Sequence, residues 1–182
     1  MKKQSLIFNL AKQSIQDEFD YTNNIDINKL TKENPFLKED GASFVTLTQN
    51  GKLRGCIGSL IATRPLVEDI ISNAKNAAFR DPRFAKLTRE EIQFTDIEVS
   101  VLTKPELLEY SDIEDLKTKV KPNIDGVILK LNEYQATFLP QVWEELPLFE
   151  NFFGHLLQKA GLPIDSFKKH PLIYIYQVTK YS

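Results

Sequence analysis

Phe44-Val45-Thr46-Leu47-Thr48-Gln49-Asn50-Gly51-Lys52-Leu53-Arg54-Gly55-Cys56-Ile57-Gly58 is the stretch from which the fold can be worked out. Asn-Gly between two apolar runs marks a two-residue hairpin turn, because both turn positions need positive φ. The second run is then a strand whose side chains alternate between two faces. On that alternation Arg54 and Cys56 point one way, and Leu53 and Ile57 point the other. A two-residue turn sets Cys56 opposite Val45 and Arg54 opposite Leu47. Glycines 55 and 58 let a backbone or a ligand come close to the strand.

Cys56 is the only cysteine in 182 residues. Two readings of it stand side by side. A neighbouring cation raises the thiolate fraction of a cysteine and makes it a nucleophile. A free cysteine is equally a small buried apolar residue, and Val45 as its expected neighbour favours that reading. One thiol excludes an internal disulfide and any all-thiolate metal site. It is consistent with a reducing compartment.

Outward from the hairpin, periodicity assigns the other elements. Leu6, Ile7, Leu10, Ala11, Ile15 and Phe19 form the stripe of an amphipathic first helix. Tyr21 to Asp40 is polar, broken by Pro35, and reads as a loop with at most a short turn. Pro65 opens a helix whose stripe ends in Ala74, Ala77 and Ala78, small residues suited to close packing on a sheet. That helix stops near Asp81-Pro82. Thr88 to Glu91 and Ser111 to Glu114 read as capping boxes. Ile97, Val99 and Val101 define a strand. Val127 to Leu131 and Ala136 to Leu139 pair around Asn132-Glu133. Leu148 to Ala160 is a strongly apolar helix closed by Gly161. Ile173 to Val178 is one last strand. Hairpins and irregularly spaced helices give an α+β fold with a mainly antiparallel sheet flanked by helices, in one domain without a clear linker.

Composition limits the function. Twenty-three basic residues face 25 acidic ones, for a net charge of −2. That balance argues against nucleic-acid binding. No apolar run reaches membrane-spanning length, and the N-terminal apolar run is too short for a signal segment. A soluble, cytoplasmic protein is expected. There is no dinucleotide fingerprint, phosphate loop or zinc-protease motif. With only His155 and His170, no metal site or cofactor is expected. His155 reads as a partly buried, satisfied imidazole, and Glu98 as a solvated strand residue. Trp143, if buried, needs an acceptor for its indole. Phe79-Arg80-Asp81-Pro82-Arg83-Phe84 is the other notable cluster. Its arginines could grip a carboxylate or phosphate, or Asp81 could pair with an arginine and fix the loop.

Taken in order, these stretches resemble the AMMECR domain family. Leu53-Arg54-Gly55-Cys56-Ile57-Gly58 looks like its signature, preceded by Gly41 to Leu47. It is followed by Pro65-Leu66, Asn76 to Phe84, Ile97 to Leu102, Asp125-Gly126-Val127, Thr137 to Trp143 and Lys159 to Leu162. The length is similar to that of the stand-alone prokaryotic branch known as AmmeMemoRadiSam system protein A. The resemblance implies a larger and a smaller subdomain, with the Arg-Gly-Cys-Ile-Gly stretch near a cleft. It also implies a setting beside a MEMO-type protein and a radical SAM protein, and no settled activity. Leu157 stands where many members have a cysteine, and Phe167 where tryptophan is common, which leaves Cys56 as the sole sulfur candidate.

Two functions follow as expectations. In the first, Cys56 is a nucleophile, Arg54 or Arg83 stabilises its thiolate, and a small anionic substrate contacts Gly55, Gly58, Ser59, Asp81 and Arg83. In the second, the chain is a non-catalytic binding or adaptor module for a partner protein or metabolite.

Overall fold

The Asn50-Gly51 hairpin forms, with φ of 50° and 73° at its two turn residues. It joins β1 (Ala42–Gln49) to β2 (Lys52–Gly58). The computed structural model describes residues 3–182. Two compact units are present, each with its own core. One takes in the chain through Leu102 together with Thr179–Ser182, and the other is Thr103–Val178.

The first unit is a four-stranded sheet in the order β2-β1-β3-β8, with β3 at Asp96–Leu102 and β8 at Val178–Tyr181. Helices α1 (Lys3–Asp20) and α3 (Leu66–Phe79) cover one face. The stripe read for α1 is its buried side, with Ile7 and Ile15 fully enclosed. α3 lies against β1 and β2. Its alanines do what their size suggests. A Cβ at Gly55 would fall closer than 3.0 Å to the Ala77 carbonyl oxygen, so helix and strand meet backbone to backbone there. Between α1 and β1 the expected loop contains α2 (Ile27–Glu33) and a 3-10 turn at Pro35–Leu37. Asp26 caps α2 by accepting the Lys29 amide at 2.9 Å. The acidic cap ahead of Ile27 was the overlooked helix signal.

The second unit is also a four-stranded sheet, ordered β4-β7-β5-β6. Its strands are β4 (Glu106–Leu107), β5 (Gly126–Leu131), β6 (Tyr134–Phe138) and β7 (Leu172–Tyr176). β5 pairs antiparallel with both β6 and β7. Against it lie α4 (Ile113–Lys119), α5 (Val142–Glu145) and α6 (Phe149–Lys159). Trp143 is 1% exposed, stacks on Phe152 with centroids 3.6 Å apart and donates its indole N–H to the Asp125 carbonyl at 2.9 Å. The indole thus has the acceptor that burial demands.

Three further expectations are corrected. The last strand is not single: it breaks at Gln177, and β7 and β8 join different sheets. The α4 cap is Asp112 rather than Ser111, with the Asp112 carboxylate accepting the Asp115 amide at 2.9 Å. His155 is exposed on the outer side of the α6 stripe, not partly buried.

Candidate functional site

Cys56 sits on β2, the edge strand of the first sheet. Its register is not the one that a plain two-residue hairpin imposes. Gly55 pairs with Leu47 and Leu53 with Thr48, so Arg54 is an extra, unpaired residue in a β-bulge. The shift places Cys56 opposite Thr46 instead of Val45. Val45 and Leu47 belong to the core under α3, and Ile57 packs against it. Thr46 and Cys56 therefore face away from the helices. The bulge also parts Leu53 from Ile57: Leu53 lies opposite Thr48 and is exposed.

Around the thiol the outer face is polar. Thr46 Oγ1 is 3.4 Å from Cys56 Sγ. Glu98 is the next residue across on β3, and it pairs with Lys180 at 3.2 Å. Cys56 is neither sealed in the core nor fully open; it is partly exposed.

The two arginines have different positions. Arg54, carried outward by the bulge, has a side chain 14% exposed. It grips Glu91 through Nε at 3.1 Å and Nη2 at 2.9 Å, and donates to the carbonyls of Ala85 and Lys86. This fork, with the Thr88 amide, brings the Glu91 pKa down to about 2. The Thr88–Glu91 capping box is closed by the same carboxylate. Arg54 thus anchors the segment after α3, and the arginine brought to the Cys56 peptide is Arg83.

Asp81, 4% exposed, accepts the Cys56 amide N–H through Oδ2 at 2.9 Å. It also accepts Arg83 Nη2 at 2.7 Å, Arg83 Nε at 3.0 Å and the Arg83 amide at 3.1 Å. Arg83 Nη2 donates in turn to the Cys56 carbonyl at 3.0 Å. Both polar groups of one strand peptide are therefore held by the two side chains. Arg83 above all, helped by the Cys56 and Arg83 amides, holds the Asp81 carboxyl far below the usual carboxylate range despite its burial. The Asp81 bond raises the Arg83 pKa. The Arg83 side chain is 53% exposed.

The glycines serve packing. Gly55 admits α3, and a Cβ at Gly58 would run into the ring of Phe44. Ser59 belongs to a separate buried network that the sequence did not reveal. Its hydroxyl donates to Asp69 Oδ1 at 2.7 Å, as does Arg64 Nε at 2.9 Å. Asp69 Oδ2 receives the Ser43 amide, the Ser43 hydroxyl and Asn73 Nδ2. Six donors on a carboxylate 1% exposed tie the first turn of α3 to the ends of β1 and β2. The acid at Asp69, on the buried stripe of α3, was the available signal. Of the sequence candidates, Cys56, Asp81 and Arg83 come together; Arg54 and Ser59 bind elsewhere.

Among the described residues no group of three or more His, Cys, Asp or Glu could hold a metal ion. No described helix is long and apolar enough to cross a membrane.

Fold and site together define an α+β protein of two antiparallel sheets, with a lone thiol on a strand edge held by an Asp-x-Arg turn. The chain belongs to the AMMECR1 family, whose model matches residues 8–181. A protein of Methanosarcina acetivorans is 38% identical over 144 residues, 79% of this chain and 72% of its own length. One of Saccharolobus solfataricus is 38% identical over 170 residues, 88% of this chain and 72% of its own. The crystal structure of an uncharacterized protein from Pyrococcus horikoshii superposes with a TM-score of 0.77 at 34% identity, covering 97% of this chain and 89% of that one.

Proposed function

We propose that this AMMECR1-family chain is a binding component that works with a MEMO-type and a radical SAM protein, and that it holds a small anionic group at Cys56 and Arg83. The observation that carries the reading is the half-exposed Arg83 guanidinium, pinned by Asp81 beside the Cys56 peptide. A guanidinium already fixed in place loses little freedom on gripping a carboxylate or phosphate. Nη1 takes part in none of the bonds to Asp81 or Cys56. Binding is favoured over turnover because Asp81 already accepts four hydrogen bonds and the thiol's partner is the neutral Thr46 hydroxyl. Proton transfer in catalysis needs a positioned acid or base.

Titration of the 15N-labelled chain with inorganic phosphate and with acetate tests this. Saturable shifts at the Arg83 Nε and Cys56 amide signals, lost in Arg83→Gln, are expected. Shifts linear in anion concentration would remove the reading. Failure of the chain to bind either purified neighbour protein at micromolar concentration would remove its adaptor part.

The second reading, covalent chemistry through Cys56, draws on the partial exposure of the thiol. Iodoacetamide labelling separates the two. Cys56 that stays unmodified in the folded chain but reacts readily in urea leaves no nucleophile.

A further inference from the structure

The second unit carries a cavity of about 450 Å3, within the size range of small-molecule sites. Its walls come from Tyr110, the start of α4 and the 3-10 turn at Ile164–Lys169 with His170 behind it. His170 is the most firmly held group there. Its imidazole lies parallel to the Tyr110 ring, with centroids 4.3 Å apart and a tilt of 5°. Its Nε2 is 3.0 Å from the Tyr110 carbonyl oxygen. A carbonyl only accepts, so Nε2 carries the hydrogen, and Nδ1 of the neutral ring keeps its lone pair. Among the described residues Nδ1 has no hydrogen-bond partner. Tyr110 is tied down in turn, its hydroxyl donating to the Pro171 carbonyl at 2.6 Å. His170 ends the 3-10 turn at φ of 52°, where glycine or asparagine is usual at a helix end. The stack and the Tyr110 carbonyl hold a larger ring in that place.

The remaining walls divide by chemistry. Phe167 and Ile113 are apolar, and Ile113 is 44% exposed. Asp112 and Glu114 bring two carboxylates against the single ammonium of Lys168. Asp112 is taken up in capping α4, accepting the Asp115 amide at 2.9 Å and the Ser111 hydroxyl at 3.2 Å. Glu114 is exposed and makes no hydrogen bond or salt bridge among the described residues. Lys117, which feels its charge, is paired to Glu150. The groups left to a ligand are therefore mainly acceptors beside apolar and aromatic surface.

We propose that this cavity binds a small planar ring carrying one ammonium group, the ring packed among His170, Phe167 and Ile113 and the nitrogen donating to Glu114. Nδ1 of His170 is the second acceptor. Aromatic faces add to the hold on a cation. Lys168 disfavours a second positive charge, so a monoamine fits better than a polyamine. An imidazole already fixed by stack and hydrogen bond loses little freedom on binding. The proposal does not depend on any anion at Arg83, which belongs to the other unit.

The test titrates the full 15N-labelled chain with three probes. Tryptamine has the ring and the ammonium, indole-3-acetate has the same ring with the opposite charge, and cyclohexylamine has the ammonium without a planar ring. Tryptamine is expected to give saturable shifts at the amides of Ser111 to Glu114 and of His170, in the low-millimolar range that so small a ligand warrants. The other two should bind at least ~10-fold more weakly, the loss of one ordinary contact. Glu114→Gln changes an exposed helix residue and leaves the fold intact; it should weaken tryptamine about 5-fold. His170→Asn keeps a residue that suits positive φ and should abolish saturable binding. Tryptamine shifts that stay linear in concentration overturn the proposal. So does indole-3-acetate or cyclohexylamine binding as tightly as tryptamine, or tryptamine binding unchanged in either variant.

Discussion

The Asp81 carboxylate accepts the Cys56 amide proton at 2.9 Å across 25 residues of chain. This bond ties the exit of α3 to the middle of an edge strand and fixes where Arg83 stands. Replacing Asp81 by alanine orphans the Cys56 N–H and frees Arg83. The expected cost is about 1.5–3 kcal/mol, the range for hydrogen bonds to a charged group. Urea unfolding of Asp81→Ala against the native chain measures it. A midpoint unchanged from native would show that the bond contributes nothing to folding.

Gly55 faces the Ala77 carbonyl oxygen with no room for a Cβ. Gly55→Ala must push α3 off β2, and backbone cannot rotate aside as a side chain can. A loss of about 3 kcal/mol is expected, the upper end of overpacking costs. Gly51→Ala serves as the control. Its Cβ meets nothing within 4 Å, so the penalty there comes from φ of 73° alone. Thermal denaturation of the two variants should rank Gly55→Ala as the less stable.

Glu91 has its pKa lowered to about 2, first by the Arg54 bond and then by the Thr88 amide. A carboxylate with a depressed folded pKa contributes stability that is present above its unfolded value, near 4.5, and fades as pH falls through the folded value. For this partly exposed pair the contribution is on the order of 1 kcal/mol after solvent screening. Stability should therefore fall between roughly pH 4.5 and 2. Glu91→Gln should flatten part of that slope, as read by urea midpoints across the range. Asp81, lowered further by Arg83, contributes in the same direction.

Asp69 gathers six donors in the core. Asp69→Asn puts an amide NH2 among groups that are themselves donors. A loss of about 3–5 kcal/mol is expected, as for a buried charged network that loses its central partner. Guanidinium unfolding provides the measurement, and a loss under about 1 kcal/mol would contradict the assignment of Asp69 as the centre of the network.

Trp143→Phe removes the indole bond to the Asp125 carbonyl while keeping an aromatic ring over Phe152. The carbonyl is then left without its buried donor, at a cost of about 1–3 kcal/mol. Chemical denaturation followed by circular dichroism gives the value.

Local chemistry carried much of the fold. Asn50-Gly51 specified a turn because both residues tolerate positive φ, and the alanines of α3 announced a close helix–sheet contact. Both signals are short-range and were legible residue by residue. The bulge at Arg54 was not. It changes which residues face each other across the hairpin, and nothing in Leu53-Arg54-Gly55 distinguishes an extra residue from an ordinary one. The guanidinium finds partners only when the segment from Ala85 to Glu91 folds beside it. Asp81 and Arg83 were visible as a charged pair, but not their joint hold on Cys56. The division of Ile173 to Val178 and beyond into two strands likewise depends on two sheets competing for one chain.

By itself the sequence determined the family, the α+β class and the elements whose apolar period or turn chemistry is complete within a dozen residues. Tertiary structure alone decided which arginine meets the thiol strand, which face Cys56 takes and which groups cover the β2 edge. Those outcomes rest on hydrogen bonds between residues some 25 to 37 positions apart, and such pairings exist only once the backbone has brought distant donors and acceptors within 3 Å or so.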